Sequence, residues 1–260
     1  MGPGLRMTIG ADLGEVARVQ AALAEFAQAY AVPAPVRRSV SVALDELLTN
    51  TISYGFAGRD GGEVAIAVEL GADRLSVTVS DDGRPFDPLS AAAPDTAGSV
   101  AERQMGGLGI HLVRRMMDEV SYHRRADRNV VVMAKLLRGR MTAGQGGGRS
   151  MEITTRTQNT VTLVALAGSL DSNTSPQAQQ ALDGILAGGG KKMVIDFTAL
   201  DYISSAGLRV LLGTAKRLSG AGGGLHLFGL NDTVREVFDI SGFSTILAVY
   251  ATEAEALRGF

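Results

Sequence analysis

Two glycine-containing motifs in the first half of the chain carry groups that could bind a nucleotide. In "VSDDGRPFDP", Asp81 and Gly83 follow a predicted strand, where the carboxylate could accept a hydrogen bond from an exocyclic amine. Gly83 has no Cβ and would let a flat ring approach the backbone. In "GGLGIHLV", Gly106, Gly107 and Gly109 open a predicted helix, whose free N–H groups can hold phosphates. Each motif is weak alone, and together they indicate a nucleotide site.

A third motif, "LDELLTN", places a carboxylate and an amide on one helix. Glu46 and Asn50 are four residues apart, so on a helix of 3.6 residues per turn they share a face, while the leucines between them face a core. Taken alone, such a pair is more often a solvated rim than a site. The order and spacing of all three motifs favour the functional interpretation.

The second half contains two adjacent hydroxyls in "DYISSAGLRVLL". Ser204 and Ser205 stand where an apolar strand gives way to an amphipathic helix. A serine at this place can cap the helix, because its oxygen accepts a hydrogen bond from a free N–H group of the first turn. The alternative is a serine that undergoes chemistry, and this alternative requires a reactive partner elsewhere in the chain.

The elements that must position these residues follow two different rhythms. In the first half, two helical stretches separated by Pro33 and Pro35 precede alternating strand-like runs, which predicts a two-layer α+β sandwich with a mostly antiparallel sheet. The predicted helices are "LGEVARVQAALAEFAQAYAV", "APVRRSVSVALDELLTNTISYGF" and "LGIHLVRRMMDEV", and the predicted strands are "EVAIAVEL", "RLSVTVSD", "VSYHRR" and "NVVVMAKLL". In the second half the predicted strands are "MEITTRTQ", "TVTLVALAG", "KMVIDF" and "LHLFGL", and the predicted helices are "SPQAQQALDGILA", "AGLRVLLGTAKRLSG" and "TVREVFDIS". Their alternation predicts an α/β domain.

A change of composition separates the two halves. Residues 138–150, "RGRMTAGQGGGRS", combine glycines, small polar residues and arginines without an apolar period, which is typical of a flexible linker. We therefore expect a first domain at residues 8–137, a linker at 138–150 and a second domain at 151–260.

Composition narrows the classes of function. The chain has 260 residues, no cysteine and a net charge of −2 from 25 basic and 27 acidic residues. The mixed charges provide no basic patch for nucleic acid, so we expect no nucleic-acid partner. We find neither a long apolar run nor a signal-peptide core, so we expect no membrane association and a cytoplasmic location. The absence of cysteine suits a reducing compartment.

Residues from about 10 to 137 resemble the GHKL ATPase family, in particular the bacterial anti-sigma factor serine kinases. The N box of that family matches "ELLTN", its first glycine box matches "DDG" and its second matches "GGLGI". The resemblance implies the GHKL (Bergerat) ATP-binding fold with ATP and Mg²⁺ as cofactors.

Each matched residue takes a role from the resemblance. Asn50 would ligate Mg²⁺, Asp81 would bind the adenine amino group, and Glu46 would be the general base. Gly83, Gly107 and Gly109 would shape the pocket and its lid. That lid would run from Phe86 to Gly107.

Residues from about 150 to 260 resemble a STAS domain of the anti-sigma factor antagonist kind. The matching stretches are "LAGSLDSNT", "MVIDFTALDYISSAGLRVLL" and "NDTVREVFDISGF". In that family the serine two residues before the glycine of the helix is phosphorylated by a partner kinase, and Ser205 holds this position. Many members have aspartate where this chain has Ser204. The resemblance also places Asp171 and Asp196 at strand ends near the same face, where turn and cap roles are equally open.

The two resemblances together imply a partner-switching regulator. The first domain would be an ATP-dependent protein-serine kinase that phosphorylates Ser205, or the equivalent serine of a free STAS protein, and binds a sigma factor or comparable regulator. The kinase family tends to form homodimers, so we expect a homodimer. Two alternatives stay open: an ATP-binding module without transfer, and an adaptor in which Ser205 is only a helix cap.

Overall fold

The computed structural model describes residues 2–59, 61–90, 107–137 and 151–260. These residues form two compact units, whose described parts end at residue 137 and begin at residue 151 respectively. The predicted linker at 138–150 and most of the predicted lid, residues 91–106, lie outside the described residues. No helix in the described ranges has the length and apolar character needed to cross a bilayer.

The first unit is a five-stranded antiparallel sheet with helices packed against its apolar face. The strands are β1 (Gly4–Gly10), β2 (Glu63–Leu70), β3 (Arg74–Asp81), β4 (Glu119–Arg125) and β5 (Arg128–Leu136), and their order in the sheet is β1-β2-β3-β5-β4. The helices are α1 (Gly14–Ala29), α2 (Ala34–Asn50) and α3 (Leu108–Met116). Alternate residues of β2 and β3 are fully buried in the core, as a half-covered sheet requires. The predicted α+β sandwich is confirmed.

Three details of this unit differ from the sequence analysis. β1 was not assigned, although Leu5, Met7 and Ile9 alternate with more exposed residues. α3 was expected to continue to Val120 but ends at Met116, because residues from Glu119 onward pair with β5. The helix predicted through Phe56 changes after Asn50 into one π-helical turn, Thr51–Gly55. That turn carries a backbone carbonyl into the candidate site.

The second unit is an α/β sheet with one antiparallel edge. Its strands are β6 (Glu152–Gln158), β7 (Val161–Leu170), β8 (Lys192–Ile203), β9 (Gly224–Phe228) and β10 (Ala248–Tyr250), in the order β10-β9-β8-β7-β6. β6 pairs antiparallel with β7, and the other neighbours are parallel. The helices are α4 (Ser175–Ala187), α5 (Ser205–Gly220), α6 (Asp232–Ile240) and α7 (Glu253–Arg258). The predicted α/β class is confirmed.

The C-terminal elements β10 and α7 were not predicted. β10 has only three residues, which is too short for a periodic signal. α7 did have a local signal, since Thr252 and Glu255 form a capping box in which each side chain accepts from the other's backbone N–H. The motif "TEAE" was therefore sufficient to predict the start of this helix.

Candidate functional site

The end of α2 places two of the predicted site residues on one face. Asn50 is the last residue of α2, and Glu46 lies one turn earlier with only 3% of its surface exposed. The leucines around them, Leu44, Leu47 and Leu48, are buried in the core. The helix is therefore anchored by apolar packing, which holds the carboxylate and the amide in place.

The first turn of α3 lies directly against this pair. An ideal Cβ on Gly109 would be 2.5 Å from Glu46 Oε2 and 3.1 Å from Asn50 Nδ2, so only glycine allows the helix to come this close. Gly107, the N-cap residue, has a φ of +78°, a left-handed conformation that favours glycine, and it contributes no capping side chain. The backbone N–H groups of a helix start therefore lie beside Glu46 and Asn50.

The end of β3 brings Asp81 close to a backbone turn. Asp81 is 5% exposed, and its Oδ1 accepts hydrogen bonds from Gly83 N at 2.9 Å and from Asn129 Nδ2 at 2.8 Å. A Cβ on Gly83 would lie 2.9 Å from the carbonyl oxygen of Gly55. Glycine at 83 therefore accommodates the chain's own π-helical turn, a reason that the sequence alone did not indicate.

Asn129 is a site residue that sequence reasoning missed. It is 4% exposed and stands opposite Asp81 in the β3–β5 pairing. Its Nδ2 donates to Asp81 Oδ1 and, at 2.8 Å, to the carbonyl of Arg84, while its Oδ1 accepts from the Tyr122 hydroxyl at 3.0 Å and from Arg124 at 2.9 Å. The only sequence signal was one polar residue followed by five apolar residues in the predicted strand "NVVVMAKLL".

A pocket joins residues of all three motifs. Asn50 and Asp81 both line it, together with Leu47, Thr51, Gly55, Arg84, Phe86, Pro88, Ile110, Asn129 and Val131. Apolar walls with a few polar groups are typical of small-ligand sites. Glu46 and Gly109 do not line the pocket, but they adjoin it through the contact with Asn50.

Charged and polar groups surround Asp82, the residue that follows Asp81. The neighbouring residue Asp82 accepts a hydrogen bond from the backbone N–H of Glu63 at 2.9 Å, and this bond lowers the pKa of the Asp82 carboxyl. Arg59 and Arg128 lower that pKa further through their positive charges. Asp82 is therefore an anion tied to the sheet, whereas Asp81 faces the pocket.

The start of α5 in the second unit separates the roles of the two serines. Ser204 is the N-cap residue, is fully buried, and accepts a hydrogen bond from Gly207 N at 3.4 Å. Ser205 is the first residue of the helix and is 3% exposed, with Arg209 donating to its Oγ at 3.3 Å. The capping role that the sequence left open between them belongs to Ser204.

Asp171 and Asp196 were expected at strand ends on one face. Asp171 does follow β7, and its Oδ1 accepts from the backbone N–H groups of Asn173 at 2.9 Å and Thr174 at 3.0 Å. For Asp196 the expectation was wrong, because β8 continues beyond it to Ile203. Asp196 pairs with Ala165 inside the sheet and accepts from Thr198 N at 2.8 Å. Both carboxylates therefore organise local backbone.

Comparisons with known proteins agree with this two-part architecture. Residues 9–135 match the family model of the histidine kinase-like ATPase domain, and residues 152–256 match that of the STAS domain. The chain is 41% identical over 98 residues to BtrV of Bordetella bronchiseptica. The aligned residues make up 38% of this chain and 84% of BtrV. It is 35% identical over 92 residues to the anti-sigma-B factor antagonist of Listeria monocytogenes, which covers 35% of this chain and 81% of that protein.

A further relative is a kinase. The serine-protein kinase RsbW of Listeria monocytogenes is 35% identical over 103 residues, which is 38% of this chain and 64% of RsbW. The chain thus spans slightly less than two thirds of this relative. The chain belongs to the STAS-domain anti-sigma factor antagonist family and carries, ahead of its STAS domain, a stretch that matches the histidine kinase-like ATPase domain and is similar to RsbW.

Proposed function

We propose that this chain is an ATP-dependent protein-serine kinase fused to its STAS antagonist and acting as a partner-switching regulator. The kinase half transfers the γ-phosphoryl group of ATP to a STAS serine, either Ser205 or the equivalent serine of a partner. The phosphorylation state of that serine then controls the sequestration of a sigma factor or similar regulator. The kinase and antagonist relatives support this combination of roles.

One observation carries the kinase assignment. The start of α3 approaches Glu46 and Asn50 so closely that a single added carbon at Gly109 would lie 2.5 Å from the Glu46 carboxylate. This contact joins a proton acceptor, an amide and a set of backbone N–H groups in one place. Phosphoryl transfer depends mainly on positioning and electrostatic stabilisation, and these groups supply both.

The donor set suits a nucleotide with its metal ion. Among the described residues no cluster of three or more acidic, histidine or cysteine side chains could hold a metal on its own. Mg²⁺ commonly uses one or two protein oxygens and completes its shell with substrate phosphates and water. We assign Asn50 as its protein ligand, and the ion would offset negative charge on the phosphates.

The remaining roles follow from the same geometry. Glu46 would accept the proton of the serine hydroxyl. Gly107 and Gly109 would allow the helix start to approach the phosphates. Both hydrogen bonds that Asp81 accepts from described residues go to Oδ1, and Oδ2 would accept a hydrogen bond from the adenine amino group. Gly83 keeps the turn beside Asp81 compact, so the adenine can reach the carboxylate.

Phosphorylation at Ser205 would change how the STAS half meets its partners. A phosphate monoester adds about −1.5 to −2 charges at pH 7. The positive end of the helix dipole at the start of α5 stabilises this negative charge. A docking partner, however, must either desolvate the phosphate or be repelled by it. We propose that the partners are a sigma factor or comparable regulator and free STAS or kinase proteins, that the chain is a cytoplasmic homodimer, and that neither nucleic acid nor membrane takes part.

The test is the mass of the intact chain after incubation with ATP and Mg²⁺. We expect a gain of one phosphate that is lost in Ser205→Ala and in Glu46→Gln. Ser219→Ala, at an exposed position of α5, and Glu25→Gln, at an exposed position of α1, are the matched controls and should leave the gain unchanged.

Three other outcomes are informative: the first two would contradict parts of the proposal, and the third would decide between the two proposed acceptors. No gain of mass with ATP still bound indicates a nucleotide-binding module without transfer. Loss of the phosphate in Ser204→Ala alone, with Ser205→Ala unaffected, would move the acceptor to Ser204. If added STAS protein gains phosphate while the chain itself does not, the acceptor is the partner's serine.

The domain boundaries are a separate proposal. We assign domains to residues 8–137 and 151–260 with a linker at 138–150. Limited proteolysis should therefore cut first within 138–150 and release two stable fragments. An initial cut inside either domain would contradict these boundaries, and light scattering on the uncut chain tests for the homodimer.

A further inference from the structure

The side chain of Arg209 contacts Ser205, the residue one helical turn before it. Arg209 follows Ser205 by one helical turn of α5, and it donates from Nε to the Ser205 carbonyl at 3.2 Å and from its terminal nitrogen to Ser205 Oγ at 3.3 Å. Among the described residues, no carboxylate lies within ion-pair distance of this half-buried guanidinium. By contrast, Arg156 and Arg217 of the same unit pair with Glu253 and Asp183.

This arrangement has an electrostatic consequence for the hydroxyl. A guanidinium forms its strongest contacts with carboxylates and phosphates, through two parallel N–H bonds. In this chain the Arg209 guanidinium contacts the neutral Ser205 hydroxyl, and this hydrogen bond is weaker than one to an anion. Because Ser205 is 3% exposed, the guanidinium also shares in covering the hydroxyl. An anion formed at Ser205 Oγ would appear beside an already positioned cation.

We propose that Arg209 is a positioning residue that holds the phosphate once Ser205 is phosphorylated. The inference rests on the proposed function only for the source of the phosphate. In the transfer, the Ser205 Oγ–P bond forms, the bond between the γ-phosphorus and the β,γ-bridging oxygen of ATP breaks, ADP leaves, and the hydroxyl proton passes to Glu46. Arg209 then donates its hydrogen bonds to a charged phosphate instead of a neutral hydroxyl, while it keeps its position in α5.

Other groups near this helix start bear on the same phosphate. Ser204 N donates to Leu170 O at 2.9 Å, so Asp171 stands next in the chain at this end of β7, and Asp201 lies near the end of β8. Their negative charges would raise the second pKa of a phosphate, whereas Arg209 and the helix start would lower it. A comparison between variants at position 209 leaves these other contributions unchanged.

The experiment installs phosphoserine at position 205 of the full chain during translation, so it does not depend on kinase activity. The second pKa of the phosphate is followed by ³¹P NMR during a pH titration. In the otherwise unaltered chain we expect a value about one unit lower than in Arg209→Met, in which it should return toward about 6. Arg209→Lys keeps the charge without the planar fork and should fall between them.

Arg217→Met is the matched control, because this arginine lies on the same helix and pairs with Asp183. It should leave the phosphate pKa unchanged, and circular dichroism verifies that each variant is folded. Equal pKa values in Arg209→Met and the unaltered chain would overturn the inference, and so would a shift of equal size in the Arg217 control. If the pKa shift is present but Mg²⁺ and ATP lead to phosphorylation of neither the unmodified chain nor an added STAS protein, the proposed kinase function fails and the role of Arg209 stands.

Discussion

The starts of α3 and α5 are built alike but serve different surroundings. Each helix has a glycine in its first turn where a side chain would collide with a neighbour. At Gly109 the neighbour is the Glu46 carboxylate, whereas at Gly207 the neighbours are the Leu170 carbonyl at 2.7 Å and the Ile203 side chain at 2.8 Å. The first glycine therefore adjoins polar groups of the candidate site, and the second adjoins backbone and core.

The two helices also differ in their N-caps, because only α5 has a capping side chain. α5 is closed by the Ser204 side chain, which accepts from Gly207 N. α3 has Gly107 as its N-cap, with no side chain to occupy the first N–H groups. An uncapped helix start can bind a ligand, whereas a capped one contributes chiefly to stability. Identical substitutions at the two glycines should therefore act on different properties.

The largest effect is expected for activity in Gly109→Ala. The added methyl group must displace the Glu46 carboxylate, which is the end of a side chain and can move without unfolding the core. We expect phosphate transfer to fall on the order of a hundredfold, because a displacement of about 1 Å in a catalytic group has such an effect. Initial rates from mass measurement test this, and unchanged rates would contradict the assigned site.

Gly207→Ala should instead lower the free energy of unfolding of the STAS unit. Its neighbours include a backbone carbonyl that cannot yield, so we expect a loss of about 1–3 kcal/mol from overpacking. Chemical denaturation provides the measurement. The matched control is Gly213→Ala in the same helix, where no described atom lies within 4 Å of the added carbon, and it should stabilise the helix by about 0.5–1 kcal/mol.

Asn129→Ala should weaken nucleotide binding. The change removes one of two donors to Asp81 Oδ1, so we expect the Kd for ATP to rise on the order of tenfold, as for the loss of a hydrogen bond to a charged group. Isothermal titration calorimetry measures this. Asn231→Ala is the control, because Asn231 caps α6 by accepting from Val234 N at 2.9 Å and should affect stability alone.

The smallest effect concerns the pH dependence of stability at Asp82. Its folded pKa is lowered, first by the Glu63 N–H, so its stabilisation is complete above the unfolded value of about 4 and is lost as the pH falls through the folded pKa. We expect Asp82→Asn to cost a few tenths of a kcal/mol at pH 7, because the group is partly exposed, and less than that at pH 2. Equal losses at both pH values would contradict an electrostatic origin.

Periodicity and local motifs were enough for most of the secondary structure. β2 and β3 occupy the stretches expected from their alternation, and α4 spans the whole of "SPQAQQALDGILA". The end of α3 was not predictable in this way, because residues from Glu119 onward leave the helix to pair with a strand that follows in the chain. The residues of the predicted helix give no local indication of this strand pairing.

The residues of the candidate site also fall into those that local patterns predict and one that depends on strand pairing. Glu46, Asn50, Asp81 and the glycines could be predicted from the sequence because their types and spacing within each motif are local properties. Asn129 was not found, because its importance comes from register: the β3–β5 ladder sets it opposite Asp81, 48 residues earlier in the chain. A lone polar residue at a strand start carries no local signal of this kind.

The sequence by itself determined the two domain classes, the three motifs of the first half and the pair of serines in the second, because helical and strand periods and helix-cap chemistry depend on neighbouring residues. Only the tertiary structure decided that Gly83 makes room for the Gly55 carbonyl, that Ser204 rather than Ser205 caps α5, and that Asp196 lies inside β8. The cap joins residues only three apart but depends on where β8 ends and α5 begins, and the other two facts depend on distances between segments far apart in the chain. Such distances are set by packing and strand register, which no local pattern encodes.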